Sequence, residues 1–212
     1  MSGKKVLKII LIVILVALAL FFINTFRKFM IIKDLQTKIS EYSSSTNFHL
    51  KTIQNPMDNG KEGSIDYYKK DNKEVTILET ISEEKPVKVS WYNNGERTDA
   101  FFEFAEPKSA QLDTDYISTV HIFNNLETEN DFQTFLLSMI VKIKSAKYND
   151  KECYIIKFEN EQYYIDKETG LLLKNISNNV NVDREYEFNN VSDEIFIEPD
   201  IGQYQLIKNS NN

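Results

Sequence analysis

Val180-Asn181-Val182-Asp183-Arg184-Glu185-Tyr186-Glu187-Phe188 puts Val180, Val182, Arg184, Tyr186 and Phe188 on one side and Asp183, Glu185 and Glu187 on the other. A period of two is the signature of a β-strand, and carboxylates confined to one side predict an antiparallel sheet with one wet face. The pattern extends upstream. Tyr154, Ile156 and Phe158 lead through Glu159-Asn160 into Gln162–Asp166, and the turn Lys167-Glu168-Thr169-Gly170 leads into Leu171–Ile176. Gly170 supplies the positive φ that such a turn commonly needs. Val75, Ile77 and Ile81 share a parity, as do Val87, Val89 and Trp91, and Ala100, Phe102 and Phe104 follow the Asn93-Asn94-Gly95 hairpin signal. Ile117, Thr119, His121 and Phe123 predict one more strand.

One helix interrupts the strands. Phe132, Phe135, Leu136, Met139, Ile140 and Ile143 form an apolar stripe at helical spacing, expected to cover the dry face of the sheet. Asn130 followed by Gln133 resembles a capping-box start. Strands in long runs with segregated helices predict an α+β domain.

The N-terminus obeys a different rule. Val6–Ile23 is an eighteen-residue apolar run whose single charge, Lys8, sits near its entry end. That is close to what a helix needs to cross about 30 Å of hydrocarbon, and Lys8 can snorkel to the interface. A cleaved signal peptide could use Ala17 and Ala19, yet Leu20-Phe21-Phe22-Ile23 carries the apolar run past them. An uncleaved anchor is the favoured reading. The single cysteine, Cys153, lies far from this region and rules out a lipidated N-terminal cysteine. Beyond the run, Ile31, Leu35, Ile39 and Tyr42 recur at helical spacing. The expected organisation is a cytoplasmic tail over 1–5, a transmembrane anchor over 6–26, a juxtamembrane helix over 27–45, and an antiparallel β domain over 46–212 with its helix near 131–144.

Charge is strongly partitioned. Residues 1–33 hold six basic side chains and no acid, leaving 19 basic against 32 acidic beyond, a net of −13. A domain of that charge repels phosphate backbones, so no nucleic-acid partner is expected. Lys4, Lys5 and Lys8 before the span are nearly matched by Arg27, Lys28 and Lys33 after it. The positive-inside rule then places the N-terminus in the cytoplasm by a small margin, with a reversed anchor as the alternative.

No metal, cofactor or catalytic residue is expected. His49 and His121 lack zinc-ligand spacing, and Asp113-Thr114-Asp115 lacks the glycine and terminal glutamate of a calcium loop. No nucleophile elbow, phosphate loop or dinucleotide fingerprint occurs. Cys153 lies in a strand-like run and is expected to be a packed thiol. Arg184 breaks its pattern, since an inward-facing charge needs a partner or water. It sits at an exposed strand end beside a carboxylate, or it lines the mouth of a concavity.

Gln162-Tyr163-Tyr164-Ile165-Asp166-Lys167-Glu168-Thr169-Gly170-Leu171, followed by Tyr186-Glu187-Phe188-Asn189-Asn190-Val191 and Phe196-Ile197-Glu198-Pro199, resembles the C-terminal third of the lipoprotein-localisation-factor (LolA/RseB-like) superfamily. The resemblance implies a half-open antiparallel barrel, covered on its concave face by helices, that accepts acyl chains or an extended partner segment. It implies no enzymatic activity. Arg184, Trp91, Phe102, Tyr186, Phe135 and Met139 are the residues it would place along the concavity. The function so implied is a single-pass, membrane-anchored extracytoplasmic protein that binds a lipid, a lipidated protein or an envelope partner, as a sensor or chaperone. The alternative is a non-catalytic assembly subunit of an envelope complex. The retained anchor argues against a diffusing carrier.

Overall fold

The computed structural model describes residues 3–55, 62–81, 86–104, 106–114, 128, 130–177 and 180–207. The chain begins with one helix, α1 (Gly3–Ser43). Six strands follow: β1 (Asn47–Asn55), β2 (Gly63–Lys70), β3 (Lys73–Ile81), β4 (Pro86–Asn93), β5 (Thr98–Phe102) and β6 (Ser109–Gln111). After α2 (Asp131–Ile140) come β7 (Lys142–Tyr148), β8 (Lys151–Phe158), β9 (Glu161–Asp166), β10 (Leu172–Ser177), β11 (Val180–Phe188) and the two-residue β12 (Gln205–Leu206). The expected strand at Ile117–Phe123, with His121, lies outside the described residues, as does Asp115.

All twelve strands form one curved sheet in the order β12-β6-β5-β4-β3-β2-β1-β11-β10-β9-β8-β7. Pairings are antiparallel except the short β12–β6 ladder. Its edges are β7 and β12, and these do not pair with each other among the described residues. Both edges are blunted. β12 is only two residues long, and β7 carries exposed Lys142, Lys144 and Lys147, which discourage strand addition.

At 1.5 Å per residue, α1 is about 60 Å long, twice the thickness of a hydrocarbon layer. Its two halves do different things. The large side chains from Val6 to Ile23 are exposed, whereas Thr25, Ile32, Leu35 and Ile39 are buried at helical spacing. Ile32 and Leu35 join Val141, Ile156, Tyr163, Ile165 and Leu172 in one core cluster. Farther along, Tyr42 meets Phe188 with ring centroids 4.8 Å apart, next to a second cluster of Phe48, Leu50 and Tyr67. The second half of α1 is therefore built into the domain across β7–β11 and β1.

The Asp166–Gly170 turn is where α1 seats. The Asp166 carboxylate accepts from the Glu168 amide at 2.8 Å, the Gly170 amide donates to the Asp166 carbonyl at 2.9 Å, and Lys38 donates to the Lys167 carbonyl at 2.6 Å. Gly170 has φ +75°.

Two expectations change. First, α2 ends at Ile140, and Ile143 belongs to the next strand. Phe132, Leu136, Met139 and Ile140 of the predicted stripe are exposed, while Thr134 and Ser138 are buried. These hydroxyls bond to carbonyls of their own turn, Thr134 to Asn130 at 3.2 Å and Ser138 to Phe135 at 2.6 Å. With Leu137, which packs on the core cluster, Thr134 and Ser138 form the side that α2 presents inward. Its start is capped as expected, with the Asn130 side chain accepting from the Gln133 amide at 3.0 Å.

Second, the wet face is wet only over part of the sheet. Glu185 and Glu187 are exposed, but in β5 Thr98, Asp99, Ala100 and Phe101 are all buried. The reason is the C-terminal segment, which folds over the outer side there. Tyr204 packs edge-on against Phe101 (5.1 Å) and bonds Glu103 (2.9 Å), and Arg97 bridges the buried Asp99 (2.9 Å) to Glu198 (3.5 Å).

Candidate functional site

Sheet register decides which candidate residues share a surface. Arg184 pairs with Thr52, Thr52 with Ile65, Ile65 with Leu78, Leu78 with Val89 and Val89 with Phe102. The adjacent row runs Tyr186, Leu50, Tyr67, Thr76, Trp91, Ala100. Four of the six candidates therefore lie in two neighbouring rows, on the face that α1 covers farther along the sheet. At about 4.8 Å per strand, Arg184 and Phe102 stand roughly 24 Å apart. Phe135 and Met139 do not join them: Phe135 packs against Phe29 of α1 (6.2 Å), and Met139 points outward from α2.

The second row is buried at Leu50, Tyr67, Thr76 and Ala100, the first at Val89. At the β11 end Tyr186 stacks parallel to Phe188 and donates to the Leu172 carbonyl at 3.1 Å. Burial pushes the Tyr186 phenol up, and the Arg184 guanidinium beside it partly opposes that shift. Arg184 is half-buried. At the other end Phe102 meets Phe104 edge-on (6.0 Å), and Phe104 is 46 % exposed.

The outer face carries a polar cluster that sequence reasoning missed. His49 Nε2 lies 2.8 Å from the Asp66 carboxylate, its ring stacks on Tyr68 at 4.2 Å, and Glu187 stands 4.0 Å from Nδ1. Burial raises the Tyr68 phenol, with Asp66, Glu79 and Glu187 adding to the shift. A second cluster joins Tyr148 to Asp183 (2.6 Å) and Lys174 to Asp183 (3.2 Å). Nothing local in the sequence pairs these residues: register aligns His49 with Tyr68 and Glu187 and Lys174 with Asp183, while Tyr148 of β7 reaches Asp183 of β11 across the face of the three strands between them. The polar groups of both arrangements have partners within their own cluster.

Cys153 is fully buried, and burial together with Asp166 pushes its thiol up, away from the reactive thiolate. Among the described residues no three His, Cys, Asp or Glu side chains could jointly hold a metal ion. Depressions lined by described residues include one of about 600 Å3 beside Lys151, Asp166 and Thr169, and one of about 230 Å3 beside Lys51, Gly63 and Glu79. Both open to solvent, and neither is an enclosed chamber for an acyl chain.

No family model matches the sequence, and no curated protein matches it. Solved structures with a similar arrangement include a MucA/MucB complex of Pseudomonas aeruginosa (11 % identity, TM-score 0.41, covering 83 % of this chain and 63 % of that one). MucB alone (10 %, 0.43, 79 % and 62 %) and MucB with MucA(peri) (9 %, 0.34, 77 % and 58 %) are further examples. This chain thus spans about three fifths of the length of those chains. Scores below 0.5 at such identity do not establish a shared family.

Proposed function

We propose that the protein is a non-catalytic, membrane-tethered binding domain of the cell envelope, held outside the cytoplasm by α1 and engaging a protein partner. One observation carries this reading. A single uninterrupted helix is both the exposed apolar span and, from Thr25 to Ile39, part of the domain core. α1 is long and apolar enough to cross a membrane, and no part of that apolar stretch is buried, unlike the core helix of a soluble protein. A domain built this way is rigidly coupled to the bilayer and cannot shuttle. The contact surface proposed is the row from Arg184 to Phe102, half-buried except at the buried Val89, together with its exposed neighbour Phe104; Leu50, Tyr67, Thr76 and Ala100 of the adjacent row are already buried and lie outside it. Occupation of the same face by α1 over β7–β11 favours this reading over a lipid carrier.

Two measurements test it. Protease added to intact cells should digest the domain, and a protected domain overturns the extracytoplasmic placement. A photo-crosslinker at Phe104 should yield a discrete protein adduct that the same group at Glu185, on the outer face, does not. Lipid adducts alone at Phe104 would support the lipid-binding alternative instead.

A further inference from the structure

The exposed apolar side of α2 is the feature that the packing leaves unexplained. Phe132, Leu136 and Ile140 are 70 %, 45 % and 61 % exposed, and with Met139 they form one continuous stripe. Three contacts fix how α2 stands against α1. Lys33 reaches Asp131 at 2.7 Å, Phe29 meets Phe135, and Lys28 donates to the Val141 carbonyl at 2.8 Å. α2 therefore runs antiparallel to α1, with its C-terminal end level with Lys28, directly beyond the exposed Phe22 and Phe26. The apolar surface of the span continues onto α2 at the point where α1 leaves the bilayer.

Charge around that point has the sign opposite to the rest of the domain. Arg27 and Lys28 lie on α1, and Lys142, Lys144 and Lys157 are exposed at the adjoining ends of β7 and β8. Lys142 and Lys157 are directly cross-strand partners. Like charges so placed destabilise a sheet in water and are relieved by an anion. The described acids nearest in sequence are Glu159, at the hairpin tip, and Glu161, which accepts from the Tyr163 hydroxyl. α2 carries no basic residue of its own; Lys142, Lys144 and Lys157 lie on the outer face of the sheet at the end of the domain where the stripe finishes, so an apolar stripe and a basic patch meet at one level, a pairing suited to the headgroup region.

Resting on the anchor reading above, we infer that the C-terminal half of α2 is a second membrane contact. Leu136, Met139 and Ile140 enter the interfacial layer of the bilayer that α1 spans, and Lys142, Lys144 and Lys157 meet anionic lipid headgroups. The domain then stands on two feet, which fixes its orientation as well as its height. The strip from Arg184 to Phe102 would be held at a constant angle to the membrane.

Spin labels on the full-length Cys153→Ser chain in nanodiscs test this. Labels are placed singly at Ile140→Cys, at Ile14→Cys in the span, and at Asn149→Cys, roughly 23 Å along β7 from Lys142. In phosphatidylcholine–phosphatidylglycerol discs, the accessibility to oxygen relative to a water-soluble nickel relaxant should be several-fold higher at Ile140 than at Asn149. Replacing the anionic lipid with phosphatidylcholine should lower it at Ile140 and leave Ile14 unchanged. An aqueous label at Ile140 with a buried label at Ile14 overturns the second contact and leaves the anchor standing, whereas an aqueous label at Ile14 overturns the anchor itself. Protection of Ile140 that depends on protein concentration assigns the stripe to a second copy and also overturns the inference. Indifference to lipid charge overturns the headgroup contact.

Discussion

A β-carbon added to Gly170 would stand 2.7 Å from the carbonyl oxygen of Leu35, so the turn between β9 and β10 touches the backbone of α1. The glycine is needed twice, once for φ +75° and once for this approach. Gly95 shares the first need, with φ +89°, but the nearest atom to its added carbon is the end of the Asn72 side chain at 2.8 Å, which can move, and the nearest backbone atom, the Asn72 carbonyl oxygen, stands farther off at 3.3 Å.

Gly170→Ala should therefore destabilise the domain by at least about 2 kcal/mol, and Gly95→Ala by about 1 kcal/mol, the ordinary cost of a left-handed residue. Urea unfolding in mild detergent would measure both. Equal effects would mean that the approach of the turn to α1 is not tight.

Because Leu35 sits in the core and Val13 does not, Leu35→Ala should cost about 2–5 kcal/mol and Val13→Ala less than about 0.5 kcal/mol. Deleting residues 1–24 should leave a folded domain, and deleting 1–43 should not. Chemical-shift dispersion of the two truncated forms would show the difference.

Ser138 faces inward from α2 and is fully buried. Ser138→Leu should cost about 1–3 kcal/mol through overpacking, while Leu136→Ala on the exposed stripe should change the unfolding midpoint in detergent by less than the equivalent of about 0.5 kcal/mol.

Asp99 is fully buried, with Arg97 at 2.9 Å and the Asp113 amide donating to it at 2.9 Å. Arg97→Ala leaves the carboxylate with the amide alone and should cost about 1–3 kcal/mol. Arg97→Ala should be rescued by adding Asp99→Asn, which removes the uncompensated charge; absence of rescue in a double-mutant cycle would count against the pair.

Burial, reinforced by Asp183, pushes the Tyr148 phenol up to about 12, and burial with Glu103 does the same for Tyr204. A raised tyrosine contributes stability that is fully present below the unfolded value of 10.0 and is lost as the pH climbs toward 12. Alkaline unfolding should start above pH 10, and Tyr148→Phe and Tyr204→Phe should each flatten its slope. Ultraviolet tyrosinate absorbance would follow the titration directly.

Much of the β-architecture is legible along the chain. The alternation through Val180–Phe188, the Asn93-Asn94-Gly95 hairpin and the Asp166–Gly170 turn all depend on residues within a few positions of one another. Lys142–Tyr148 is the instructive exception. Ile143 continues the helical spacing of Phe132 to Ile140, so a strand edge was hidden behind a plausible sixth position of the stripe. The apolar stripe of α2 was equally visible, but not which way it faces, since Thr134 and Ser138 satisfy their hydroxyls within their own turn and can be buried at little cost.

Sequence by itself determined the exposed apolar span, the α+β class and the acidic charge of the domain, because periodicity and composition are local properties of the chain. Tertiary structure alone decided that α1 runs unbroken from span to core and that α2 turns its apolar side outward. It also decided that Arg184 and Phe102 lie in one row and that His49 meets Asp66. Apart from the continuity of α1 itself, each of these follows from register and packing between segments that are distant along the chain, 17 residues for His49 and Asp66 and 98 for Lys33 and Asp131, for which no local pattern carries a signal.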